Sequence, residues 1–214
     1  DKPLMVGWNE DEFTFFAWQN QDTSFTTLEF NTLQAKLEPQ FGTDTSKIVD
    51  TYRQAMPTAS APEIFIAISS INMMGLGSIV IAEKKAKQGG APVYLYNFGY
   101  KSEVKLPGTD FPLGTPHAMD ITFKFNIEVP PDKGGQVRSG LGGSRPERYI
   151  ASQHMAELWT TFARTGVPAA QDVPEWPGYN LKTRPTMRID TTCTVIEDRY
   201  KQELAMWRSI GRLE

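Results

Sequence analysis

The sequence predicts an α/β fold in which helices cover both faces of a mostly parallel central sheet. Three observations lead to this prediction. Short segments rich in β-forming residues lie far apart, at 3–7, 92–98 and 185–190. Helical patterns fill most of the chain between them. The 214 residues are 40% hydrophobic, which is enough to bury a sizeable core.

One strand and a series of helices are predicted in the first ninety or so residues. The apolar run at 3–7 ends at a glycine, as a buried strand often does. Asn31 and Gln34 have the spacing of a helix start, and apolar residues then recur at every fourth position from Leu33 to Phe41. Further helices are predicted around Ile48, Tyr52 and Met56, at 62–71 with Pro62 in its first turn, and at 78–88.

The rest of the chain contains two predicted strands and two predicted helices. Residues 92–98 are typical of a central strand, and a loop with three prolines then leads to His117. The clearest helix is 150–164, which has an apolar stripe and Gly166 as its C-cap residue. A final short strand is predicted at 185–190 and a final helix at 198–208. Three strands make a thin sheet, which indicates that part of the sheet is missing.

Composition and charge exclude several classes of protein. The formal net charge is -3 and the basic residues are scattered, so we expect no nucleic-acid partner. No segment reaches the roughly 18 consecutive apolar residues of a membrane span, and we expect a soluble chain without a membrane partner. The single cysteine, Cys193, cannot form an internal disulfide. The compartment, cytoplasmic or extracellular, stays open.

The two histidines are candidates for proton transfer. His117 lies just after a Gly/Pro turn, and a neutral imidazole at a loop end is a common general base. A structural histidine is an equal alternative at this position. For His154, inside the striped helix, we favour a packed side chain. The spacing of the two residues and the lack of nearby cysteines argue against a metal site.

A base requires an acid and a nucleophile. Glu10, Asp11 and Glu12 follow the first strand directly, where open α/β sheets place functional groups, although spacing alone favours three solvated loop charges. No serine lies in the G-x-S-x-G pattern of serine hydrolases; Ser78 and Ser144 both lack it. Cys193 is most simply a small packed or surface residue.

A segment rich in glycine and proline, 130–144, predicts a long surface loop. Gly135 and Gly140 have part of the spacing of a phosphate-binding loop. However, no Lys-Ser/Thr pair follows and no strand precedes, so we reject phosphate binding here.

Several segments in order resemble the type-B carboxylesterases, the family that includes the para-nitrobenzyl esterases and cholinesterases. VGWNEDEFTFF at 6–16 is similar to the motif around the acid of that family's catalytic triad. PVYLYNF at 92–98 and GTPHAMDITFKF at 114–125 resemble its strand and histidine segment. Its closing blocks resemble WTTFARTGVP at 159–168, WPGY at 176–179 and PTM at 185–187. The resemblance runs from end to end.

This resemblance implies a fold and a set of site residues. Residues 1–214 would be the C-terminal portion of a single carboxylesterase catalytic domain with the α/β-hydrolase fold, lacking its N-terminal strands. Glu12 would be the triad acid and His117 the base, while Asp120 would anchor the histidine loop. Phe13 stands where the family commonly has glycine, which puts the loop geometry at Glu12 in question. No metal or organic cofactor is implied.

The implied activity is ester hydrolysis with a serine that lies upstream of Asp1. The partners would be the N-terminal part of the same enzyme, with its serine and oxyanion loop, and a small-molecule ester. The aromatic and Met-rich segments 13–18 and 65–74 would either line a substrate pocket or pack in the core. Two alternatives remain: a catalytically inactive interaction module on the same fold, and an unrelated α/β binding domain. We also predict that the chain is stable only beside the missing segment, since its open sheet edge would otherwise aggregate.

Overall fold

A four-stranded sheet forms the centre of the computed structural model, which describes residues 1–133 and 140–213. The strands of the chain, in order, are β1 (Leu4–Asn9), β2 (Val93–Phe98), β3 (Ser102–Lys105), β4 (Pro112–Gly114), β5 (Thr186–Ile189) and β6 (Thr194–Ile196). The sheet has the order β1-β2-β5-β6. Strands β1, β2 and β5 are parallel, and β6 is antiparallel to β5. The three predicted strands are therefore present, with β2 in the interior of the sheet.

Three short strands were not predicted from the sequence. The loop predicted between residue 98 and His117 instead contains an antiparallel hairpin of β3 and β4. Pro112 is tolerated there because it is the first residue of a strand that pairs on one side only. The last predicted strand, at 185–190, is β5, and a further strand, β6, follows it. Strands β4 and β6 have three residues each, and the β3–β4 ladder is irregular, so these segments show no detectable alternation.

The helices are α1 (Glu12–Asn20), α2 (Phe30–Phe41), α3 (Thr45–Ala55), α4 (Ala61–Ser70), α5 (Leu76–Gln88), α6 (Met119–Lys124), α7 (Arg148–Thr165) and α8 (Lys201–Ser209). The start of α2 differs from the prediction: its capping box is formed by Glu29 and Thr32, not by Asn31 and Gln34. Helix α7 ends as predicted, with Gly166 in the left-handed conformation. The predicted surface loop at 130–144, including Gly135, lies partly outside the described residues.

Helices α4 and α5 form one continuous helix, because a π turn at Ile71–Gly75 joins them. A capping box of Ser60 and Glu63 starts it. The whole helix, Ala61–Gln88, is long and apolar enough to cross a membrane, which the search for consecutive apolar residues did not detect. However, 61% of its most apolar window is buried inside the protein, as in a core helix.

Two hydrophobic clusters lie on opposite faces of the sheet. Alternate residues of β2 point to them: Val93 and Leu95 belong to the cluster that includes residues of α2, α3, α4, α5 and α8, whereas Tyr94 and Tyr96 belong to the one that includes residues of α6 and α7. The prediction of a sheet covered on both faces is confirmed. Among the described residues, β1 pairs only with β2, so its other edge is open.

Candidate active site

Glu12 begins α1, three residues after the end of β1, and its side chain turns back into the protein. The carboxylate is buried, and its Oε1 accepts a 2.7 Å hydrogen bond from the backbone N–H of Asn9. Burial raises the pKa of this carboxyl, while the hydrogen bonds from Asn9 and His117 act in the opposite direction. Glu12 is therefore a fixed carboxylate with one oxygen already held by the main chain.

His117 lies in the turn between β4 and α6. Its Nδ1 is 2.7 Å from the second oxygen of Glu12, Oε2. The His117 side chain is 37% exposed, against 5% for Glu12, so the imidazole connects a buried carboxylate to the surface. With Nδ1 directed at Glu12, Nε2 is the ring nitrogen left for a further partner. The fold thus brings together two residues that are 105 positions apart.

Two hydrogen bonds between Asp11 and Thr115 join the loop of Glu12 to that of His117. Asp11 donates its N–H to the carbonyl of Thr115, and the N–H of Thr115 donates to Asp11 Oδ2 at 2.8 Å. The hydroxyl of Thr14 adds a 2.7 Å bond to the carbonyl of Leu113. These bonds fix the start of α1 against the end of β4.

Gly114 is required at this junction for two reasons. Its φ of 65° lies in the left-handed region that favours glycine. A Cβ added at this position would also lie 2.2 Å from Asp11 Oδ2. Any side chain here would therefore displace the carboxylate that holds Thr115.

Asp120 contacts the side chains of Asn9 and Lys124, with 3.3 Å between its Oδ1 and Asn9 Nδ2. Its carboxylate thus has partners on β1 and on α6. The family resemblance implied an anchoring role for Asp120, and these are the contacts through which it would act.

The aromatic segment at 13–18 divides between the core and the site. Phe13 packs edge to face against Phe25 and Phe65 in the core. The rings of Phe15 and Phe16 lie 5.7 and 5.2 Å from the His117 ring between centroids. Phe13 has ordinary helical geometry, and its N–H donates to Ser70 Oγ, so this position does not need glycine. The second segment, 65–74, packs mainly in the core.

Glu10 and Asp11 have different partners from Glu12. Burial alone would raise the pKa of Glu10, but Lys101, Arg199 and Arg188 together lower it to about 2. Lys101 lies 3.0 Å from Glu10 and 2.5 Å from Asp11. None of the three carboxylates is a free solvated charge, and Glu12 alone contacts a histidine.

The other candidates from the sequence pack as structural residues. His154 is buried, with Nδ1 3.0 Å from the carbonyl oxygen of Asp190, as expected for a packed side chain on its helix. Cys193 is buried beside it, and burial raises the pKa of its thiol. Ser78 donates to the carbonyl of Gly7. The part of the chain that the structure describes contains no group of three or more residues suited to a metal.

Two features of the site were missed by sequence reasoning. The contact between Asp11 and Thr115 depends on backbone geometry that no local pattern encodes. Asn9 has a detectable signal, since it is a polar residue at the end of an apolar strand, and such residues are buried only when they are hydrogen-bonded.

Comparison with known proteins gives one consistent result. The model of the carboxylesterase family matches residues 1–207. The chain is 27% identical over 201 residues to the para-nitrobenzyl esterase of Bacillus subtilis, covering 92% of this chain and 36% of that protein. It is 23% identical over 234 residues to liver carboxylesterase 1 of Oryctolagus cuniculus, covering 99% and 37% respectively.

Comparison with solved structures also identifies carboxylesterases. A carboxylesterase of Geobacillus stearothermophilus superposes with a TM-score of 0.72 at 28% identity, covering 96% of this chain and 40% of that one. A para-nitrobenzyl esterase superposes with a TM-score of 0.63 at 23% identity, covering 95% and 38%. The prediction of part of an α/β-hydrolase fold is thus confirmed. The chain spans well under half the length of these relatives.

Proposed function

This chain belongs to the carboxylesterase family, whose model matches residues 1–207, and from that membership we propose that it carries the acid and base of a serine esterase. In this proposal Glu12 is the acid, His117 is the base, and the serine lies on a segment upstream of Asp1. The substrate is a small-molecule carboxylic ester.

The observation that supports this proposal most strongly is the contact between His117 Nδ1 and Glu12 Oε2 at 2.7 Å. An ionised carboxylate can only accept, so Nδ1 carries the proton of this bond and Nε2 is free to take one. The other carboxylate oxygen is held by the Asn9 amide, which fixes the direction in which the imidazole is presented. A base, an orienting acid and an accessible ring edge are what proton transfer to and from a serine requires.

The proposed reaction has two stages. Nε2 of His117 removes the proton of the serine hydroxyl as the oxygen attacks the ester carbonyl, and Glu12 stabilises the resulting imidazolium. Backbone N–H groups of the upstream segment stabilise the oxyanion. The imidazolium then protonates the departing alcohol and leaves an acyl-enzyme. His117 next activates a water molecule, which releases the acid and regenerates the serine.

The proposed partner of the chain is the N-terminal part of the same enzyme. The free edge of β1 supports this, because an unpaired parallel strand can accept a neighbouring strand. Glu12 follows the same strand, so a strand added at this edge would end near the site. The carboxylesterase that superposes on the chain is also more than twice as long.

The test is hydrolysis of a short-chain p-nitrophenyl ester by the 214-residue chain alone and together with the serine-bearing segment. We expect hydrolysis only in the combined sample, and its loss in His117→Ala. His154→Gln is the matched control and should keep the activity of the wild type. Hydrolysis by the chain alone would contradict the proposal that the serine lies upstream of Asp1. Inactivity of both samples would favour the non-catalytic interaction module.

A further inference from the structure

Asn9, the last residue of β1, contacts the histidine segment on both sides of His117. The residue is 2% exposed. Its Nδ2 donates one hydrogen bond to the carbonyl of Pro116 at 2.7 Å and a second to Asp120 Oδ1 at 3.3 Å. Pro116 directly precedes His117, and Asp120 follows it by three residues. Both N–H groups of the side chain are therefore directed at the loop that carries the imidazole.

The main chain of Asn9 contacts the acid. Its backbone N–H donates to Glu12 Oε1, the oxygen that does not face His117. Asn9 also lies in the ladder of β1 and β2, opposite Phe98. One residue, fixed in the sheet, thus holds both the carboxylate and the segment of its histidine partner.

The histidine segment has a backbone conformation that needs such support. Ala118, directly after His117, has a φ of 65°, which is unfavourable for a residue with a side chain. The Pro116 carbonyl that Asn9 contacts also accepts the N–H of Met119 and so closes this turn. A loosened Pro116 carbonyl would allow the turn to relax and would move the imidazole.

The orientation of the Asn9 amide is fixed by its acceptors. Turning the group over would direct its oxygen at a carbonyl and a carboxylate. In the observed orientation Oδ1 is buried and has no hydrogen-bond partner among the described residues.

We propose that Asn9 is a positioning residue, which keeps His117 in contact with Glu12 through its hydrogen bonds to Pro116 and Asp120. The inference rests on the proposed function, because it assigns Asn9 a role in a reaction carried out by those two residues. Asn9 itself touches neither the substrate nor the ring of His117 in this role.

The test is the kinetics of Asn9→Leu in the complete enzyme, expressed per serine titrated with an irreversible organophosphate. Leucine has a similar size but no donors. We expect kcat per titrated serine to fall by about 10- to 100-fold, as for displaced catalytic groups, with KM within about three-fold of the wild type. Asn9→Ser is a second variant, whose shorter side chain does not reach Pro116, and we expect the same loss. Because kcat is expressed per titrated serine, a smaller folded fraction of a variant does not lower it.

The matched control is Asn97→Leu. Asn97 is a buried asparagine on the neighbouring strand, bonded to the carbonyl of Trp8, and its Oδ1 also has no partner among the described residues. We expect its kcat per titrated serine to stay within two-fold of the wild type. Unchanged kcat in both Asn9 variants, or an equal loss in Asn97→Leu, would overturn the inference. A wild type that hydrolyses no ester would instead refute the proposed function.

Discussion

Arg148 and Glu128 form an ion pair that is almost completely sealed from solvent. The distance between Arg148 Nε and Glu128 Oε2 is 2.9 Å, and the two side chains are 1% and 2% exposed. Arg148 also donates to the carbonyl of Arg145 and to the hydroxyl of Tyr149. Glu128 precedes the glycine-rich segment and Arg148 begins α7 after it. The pair therefore joins the chain before that segment to the start of α7.

We predict that Arg148→Met lowers the free energy of unfolding by about 3–5 kcal/mol, because it leaves the Glu128 charge buried without a partner. The double variant with Glu128→Leu should recover most of this loss, since no uncompensated charge remains. Urea unfolding of the complete enzyme measures both effects. A double variant as unstable as Arg148→Met would show that the packing of the arginine, not its charge, is what matters.

We predict that Glu10 makes stability depend on pH in the acidic range. Its folded pKa of about 2 lies below its ordinary value of 4.5, so its contribution is fully present above pH 4.5 and is lost as pH falls toward 2. The Glu10 side chain is 23% exposed, and the contribution is on the order of 3 kcal/mol at most. The difference in unfolding free energy between wild type and Glu10→Gln should shrink between pH 5 and pH 2. Urea denaturation of both proteins at a series of pH values in that range measures it.

Asp110→Asn is the control for this prediction. Asp110 pairs with Lys105 but is 98% exposed, so water screens the pair. Its substitution should change stability little at any pH. A Glu10→Gln difference that stays constant down to pH 2 would contradict the assigned role of the three basic residues.

We predict that Glu12→Gln lowers kcat by about four orders of magnitude in the complete enzyme, since an amide can hold His117 in the wrong tautomer. Glu203→Gln is a matched control, because burial also raises the pKa of Glu203 but its carboxyl lies on α8 and does not contact His117. Steady-state hydrolysis of a p-nitrophenyl ester, normalised to titrated serine, measures both. Equal losses in the two variants would contradict the proposed role of Glu12 as the acid.

The sequence predicted those parts of the fold that depend on local patterns. Helix α7 has a long apolar stripe and a C-cap glycine, and it was predicted to within two residues at each end. The short strands β3, β4 and β6 were missed although each pairs with a strand close to it in sequence, because such short or irregular strands show no detectable alternation. The single helix Ala61–Gln88 was predicted as two, at 62–71 and 78–88, because a π turn cannot be inferred from spacing.

The site was predictable only where it resembles a known family. Spacing favoured solvated charges at Glu10, Asp11 and Glu12, and the resemblance selected Glu12, which lies 2.7 Å from His117. The position of Phe13 raised a doubt that its helical backbone and the Ser70 contact remove. The polar Asn9 at the end of an apolar strand could have been singled out, but its partners and those of Asp11 lie about a hundred residues away, and a single sequence does not identify them.

The last prediction concerns Gly114, where a side chain would meet the Asp11 carboxylate. Gly114→Ala should lower the free energy of unfolding, because it combines a left-handed φ with a contact at 2.2 Å. It should also lower kcat, since displacement of Asp11 frees the N–H of Thr115, two residues before His117. Hydrolysis per titrated serine and urea unfolding of the complete enzyme measure the two effects.

Gly108→Ala separates the backbone effect from the steric one. Gly108 has a similar positive φ of 77°, but a Cβ there would meet nothing within 4 Å. The free energy of unfolding of Gly108→Ala should therefore fall only by the roughly 1–2 kcal/mol expected for an alanine with left-handed backbone. Its activity per titrated serine should stay that of the wild type. If Gly114→Ala also kept its full activity, the link between Asp11 and Thr115 would contribute to stability but not to the position of His117.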